Sequence, residues 1–117
     1  MNRIHLIERG DFPENLVRIE KENHIYDSGF WFVAQATAER LVGGQLYLHD
    51  AKDKPARFGG TILGYRVAEG GANEGKIVFR FQASMDAKGV RAGREGWGME
   101  KKIVLDDPNP DTPEVDR

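Results

Sequence analysis

The sequence predicts an α+β, mainly β fold: a small, mostly antiparallel barrel of about five or six strands with one or two short helices. Two observations carry that reading. Apolar runs rich in β-branched and aromatic residues recur at close spacing from "SGFWFVA" onward, and glycine-rich or charged segments, not helices, separate most of them. Strands joined in this way pair antiparallel, because a parallel neighbour needs a long crossover connection. Closing the sheet would remove exposed strand edges and enclose the Phe, Trp, Ile and Val residues, with the helices covering the ends.

The elements follow in chain order. "DFPENLVRIEKEN" predicts a helix over 12–22: Asp11 caps it, Pro13 lies in the first turn, and Glu14 stands where a capping box would place it. Phe12, Leu16 and Ile19 then share one face, although "NLVRIEK" also alternates as a strand would. "SGFWFVA" reads as a strand buried on at least one face. In "QATAERLVGG", Thr37 is a cap for a short helix over 38–42, and Gly43-Gly44 supplies its stop. "QLYLH" and "GTILGYRV" are strands separated by a charged loop, and "EGGANEG" is a turn. "KIVFRFQA" sets Ile77, Phe79 and Phe81 against Val78, Arg80 and Gln82, the clearest strand of the chain. "KKIVL" is the last strand, and the proline-rich "DDPNP" ends the fold. One domain over 1–105 and a flexible acidic tail over 106–117 are therefore expected.

Composition narrows the functional classes. The 117 residues suit one domain with a real core, and the charged fraction of 31% is ordinary for a soluble protein. No apolar run approaches the roughly 18 residues that a membrane helix requires. The first residues, "MNRIHLIERG", do not have the layout of a signal peptide, so a cytoplasmic location is expected. With no cysteine there is no disulfide framework, thiol nucleophile or thiolate metal site. The net charge of -2 averages unlike parts, an acidic tail and a region over 76–102 with an excess of Lys and Arg.

No motif announces catalysis. His5, His24 and His49 lie in separate segments without metal-ligand spacing, and no metal or other cofactor is expected. Ser28 and Ser84 are not in nucleophile turns. The glycines of "GGTILG" and "GVRAGREGWG" open no nucleotide-binding unit, and read as turns or close contacts. Binding is better supported. In "SMDAKGVRAGREGWGMEKK", Lys88, Arg91 and Arg94 are interleaved with glycine and followed by Trp97, a combination that can neutralise phosphates while an indole stacks on an unpaired or flipped base; equally, Trp97 folds inward to close the barrel end and the arginines pair with Glu95 and Glu100. In "GGQLYLHDAKDKPARFGGTIL", Lys52, Lys54 and Arg57 lie between two strands that a barrel brings together, so they fringe its mouth beside His49, which itself reads first as a strand cap bonded to backbone and second as a donor to a base or phosphate. Trp31, inside "SGFWFVA", reads first as core packing, although alternation also lets it line a pocket.

The arrangement of "SGFWFVA", "TAERLVGGQLYLH", "GGTILGYRV", "KIVFRF" and "WGMEKKIVL" resembles the PUA-like superfamily, which includes the EVE, ASCH and YTH domains. The resemblance spans residues 28–105. It implies a compact barrel that binds RNA or DNA, often at a modified or extruded base, in a pocket between barrel and loops. Trp31 and Trp97 are then the stacking aromatics, and Ser28 and His49 the polar groups of the pocket. The G-x-K-x-x-x-R signature of ASCH domains is absent, since "GGQLYLH" offers no lysine, and no three-aromatic cage of the YTH kind is traceable.

The sequence thus points to a cofactor-free module that binds RNA, or single-stranded or flipped-base DNA, by aromatic stacking and Lys/Arg phosphate contacts. A protein-interaction module or homodimer is the second reading, favoured by the overall acidity. A small nucleoside hydrolase using His49 or Glu39 as general base is the third.

Overall fold

A computed structural model describes residues 1–8 and 16–106. It is mainly β, with seven strands in one sheet: β1 (Arg3–Ile7), β2 (Leu16–Glu20), β3 (Ile25–Trp31), β4 (Gln45–His49), β5 (Ala56–Val67), β6 (Ile77–Ala83) and β7 (Lys101–Val104). Among the described residues one α-helix, α1 (Gln35–Leu41), joins β3 to β4, and short 3₁₀ turns occupy Gly71–Asn73 and Met85–Ala87. The strand order is β2-β3-β6-β5-β4-β1-β7. Every pairing is antiparallel except that of β1 with β4.

The sheet does not close into the expected barrel. β2 and β7 are its two edges, because β1 inserts beside β4 and pairs β7 on its other side. It must nevertheless curl. Ile4, Leu6, Leu46, Leu48, Ile62, Phe79 and Phe81 are fully buried on one face, and α1, with only Ala38 and Leu41 turned inward, is too short to cover them. The apolar cluster runs on to Leu16 at one edge and Ile103 at the other, so the sheet wraps over its own inner face. The Gly59-Gly60 pair lies inside β5 at this bend rather than in a turn. A Cβ on Gly60 would strike the Gln82 carbonyl of β6, so only glycine permits the approach.

Two segments differ from the sequence reading. Residues 16–20 are the edge strand β2 and not part of a helix; residues 12–15 of the expected helix lie outside the described residues. The hairpin with β3 gives the β-branched Val17 and Ile19 a pairing partner that an isolated helix lacks, and it turns through His24 at a φ of 57°. The second difference is β1, whose parallel partner lies some forty residues further along the chain, beyond local pattern. Helix α1 begins earlier than expected, with Thr37 inside its first turn and Ala34 at the cap position, and it stops where Gly43 takes a φ of 88°. Of the expected tail, Asp106 is described, and it receives the N-terminal amine and Arg3. Residues 107–117 lie outside the described residues.

Candidate cation-lined cleft

Two loops that are distant in sequence meet at one end of the sheet. Ala56, at the start of β5, donates its N–H to the Val90 carbonyl and accepts from Gly89 N–H, both at 2.8 Å. This exchange brings loop 50–55 beside loop 88–94. Between them lies a cleft of about 190 Å³ lined by Lys52, Lys54, Arg91 and Arg94, with Asp53 as its one carboxylate among the described residues. Arg91 also reaches the Asp53 carbonyl at 3.5 Å, a weak contact. Four of the six basic residues expected at phosphates therefore line a single cleft. Arg57 is engaged elsewhere, donating to Asp50 at 2.7 Å and to the Glu8 carbonyl at 3.1 Å. Lys88 is exposed just after the 3₁₀ turn Met85–Ala87 and is not among the cleft residues.

Beneath the loops is an aromatic cluster on the outer face of the sheet. His5, on β1, stacks on Tyr47 of β4 with ring centroids 4.9 Å apart. Its Nδ1 meets His49 Nε2 at 2.9 Å, and His49 Nδ1 meets the Lys54 carbonyl at 2.8 Å. A carbonyl only accepts, so His49 carries its proton on Nδ1 and, when neutral, accepts at Nε2 from His5 Nδ1–H. His5 Nε2 then keeps a lone pair that bonds to no described residue. Burial, followed by the charges of His49, Arg3 and Lys102, lowers the His5 pKa from 6.5 to about 4. The pair is thus neutral at ordinary pH at His5, and an imidazole of that pKa is a weak base.

Trp97 closes the cluster. Its ring meets His49 edge-on at 5.8 Å, and its indole N–H donates to the Gly93 carbonyl at 2.8 Å. Lys102 of β7 donates to the Ala92 carbonyl next to it. Each loop of the cleft is consequently tied from below: loop 50–55 by His49, and loop 88–94 by Trp97 and Lys102. These bonds fix the backbone that carries the four cations, while the cationic ends stay in solvent.

The other expected site residues fall elsewhere. Trp31 is 8% exposed in the core, where its N–H donates to Ser28 Oγ at 3.1 Å, which leaves it no ring face for a base. Ser28, fully buried on the inner face, is likewise remote from the cleft mouth. His49 is also fully buried and bonds the Lys54 carbonyl, the backbone-bonding role that the sequence favours for it over fringing the cleft. Glu39 accepts from Tyr65 on α1's side of the molecule. No carboxylate bonds to either histidine of the pair, and no three metal-ligating side chains cluster among the described residues.

Two features escaped the sequence reading. The His5–His49 pair was traceable, since both residues alternate out of phase with Ile4, Leu6, Leu46 and Leu48; it requires "RIHLI" to be read as a strand. Glu8 follows β1, is buried, and has Oε2 without a hydrogen bond; burial raises its pKa against the opposing pull of Arg57. No local signal marks it. No helix among the described residues is long and apolar enough to cross a membrane. No protein-family model, curated protein or solved structure matches the chain.

Proposed function

We propose that the chain binds nucleic acid, as RNA or an unpaired DNA strand, through the cleft of Lys52, Lys54, Arg91 and Arg94. The observation that carries this reading is the convergence of four cations from two separate loops beside Asp53. Such a concentration of cations raises the local positive potential, and a phosphate backbone is an anion that it attracts. Trp97 is half-buried and roots the same loop, so its exposed part is the stacking group of this proposal, without Trp31. The chain works without a cofactor and in the cytoplasm in this reading. A PUA-like origin belongs to the proposal too: the strand, short helix and strand of β3, α1 and β4 and the curled sheet favour it, while the open edges depart from a closed barrel.

The test is fluorescence anisotropy with a labelled single-stranded oligonucleotide across a salt series. The Arg91→Ala, Arg94→Ala double variant weakens binding by about 10–100-fold and flattens the slope of log K against log salt by about 1.4 for a single strand. Trp97→Ala lowers affinity further and removes most of the tryptophan quenching on binding. Unchanged affinity and slope in the double variant would reject the proposal.

A further inference from the structure

A second concave surface lies on the same outer sheet face, away from the cleft. Two grooves, of about 270 and 200 Å³, share Asp27, Arg66 and Val78 and so form one trough across β2, β3, β6 and β5. Its walls are aliphatic: Val17 is 51% exposed, and Ile19 and Leu63 are each 45% exposed. Its charges are unequal. Arg80 is held by Asp27 in a two-bond pair at 2.8 and 3.1 Å. Arg66, common to both grooves, is exposed and has no hydrogen bond or ion pair with any described residue. Among the described residues the trough therefore offers one unengaged guanidinium set between aliphatic walls.

We propose that this trough docks a peptide segment of a partner protein that presents a carboxylate between aliphatic side chains. A guanidinium's planar donors match the two oxygens of a carboxylate, and the flanking side chains cover Val17, Ile19 and Leu63. The charge pattern decides against the other occupants. Among the described residues a phosphate backbone would meet a single free cation beside the Asp27 carboxylate, whereas the loop cleft offers four. A second copy related by a two-fold axis through the trough would set Arg66 against its own counterpart. The inference does not depend on the nucleic-acid reading, because none of the cleft residues lines the trough.

The test titrates the isotope-labelled full chain with a short peptide carrying glutamate between valine and leucine, and with its glutamine counterpart. The acidic peptide binds saturably and shifts the signals of Val17, Leu63 and Val78. The glutamine peptide, and the acidic peptide on Arg66→Ala, bind about tenfold more weakly, and Arg66→Lys recovers part of the loss. Equal binding of the two peptides, indifference to Arg66→Ala, or shifts confined to 52–54 and 91–94 would overturn the proposal. So would an oligonucleotide that moves the trough signals in preference to the peptide. Sedimentation showing a dimer that Val17→Ser dissociates and Arg66→Ala tightens would assign the face to a second copy instead.

Discussion

The two ends of the outer sheet face invert the usual relation between residue type and burial. Where β7, β1 and β4 run side by side, the face carries histidines, yet His5 and His49 are 2% and 0% exposed. Where β5, β6, β3 and β2 run, it carries Val17, Ile19 and Leu63, and these stand in solvent. The difference is the cover: Trp97 and its loop lie over the histidines, and no described element lies over the aliphatic end. A covered polar end holds only if its groups are bonded, and both His49 nitrogens are. An uncovered apolar end has no such requirement, but it invites a partner.

The strongest way to break this contrast is His49→Ala. The change removes a fully buried ring, leaves His5 Nδ1 and the Lys54 carbonyl without their partner, and frees loop 50–55. Urea unfolding should register a loss of about 3–4 kcal/mol, combining a cavity with stranded polar groups. Oligonucleotide affinity should fall as well, although no cation has been touched. A loss below about 1 kcal/mol would mean that the histidine end is not held by this network.

Acid probes the same end with a smaller effect. His5 titrates at 6.5 when unfolded and at about 4 when folded, so both states are neutral above pH 6.5 and the shift contributes nothing there. As pH falls from 6.5 towards 4, the unfolded chain takes up a proton that the folded chain refuses. Stability declines across that window by up to about 3 kcal/mol and is flat in this respect below it. Glu8 acts in the opposite sense, because its raised pKa lets the folded state hold a proton longer. The His5 contribution is therefore read as the difference in unfolding free energy between the native chain and His5→Phe from pH 7 to pH 4. Parallel curves would show that His5 is not buried as a neutral ring.

These contrasts also locate what the sequence made legible. The period of two in "KIVFRFQA" identified β6, and "QLYLH" was readable as β4 from its apolar residues between a Gly-Gly stop and a charged loop; the inward set of each strand is apolar without exception. The basic residues of loops 50–55 and 88–94 were recognisable one loop at a time. Their meeting was not, since it depends on the exchange between Ala56 and residues 89–90, which leaves no trace in local pattern. Trp31 and Trp97 show the same limit: both sit among aromatic or basic neighbours in sequence, and only the fold puts one under the sheet and the other at its loop. Residues 16–20 misled because alternation and helical spacing coincide in five residues, and the hairpin with β3 decides between them.

The smallest expected effect tests the open end. Leu63 sits at the β-bulge of β5, where the register against β6 shifts between Ile62 and Gly64, and its side chain leans over the trough. Because it is 45% exposed and belongs to neither the inner cluster nor the histidine cover, Leu63→Ser gives up only part of a leucine's burial. Urea unfolding should change by about 0.5 kcal/mol or less, against the 1.5–3 kcal/mol, roughly, that a fully buried leucine contributes. A much larger loss would mean that the aliphatic end is covered in solution and that the contrast between the two ends fails. With stability preserved, any loss of peptide affinity in the same variant reports the trough surface itself, which His49→Ala cannot do because it alters folding and loop position together.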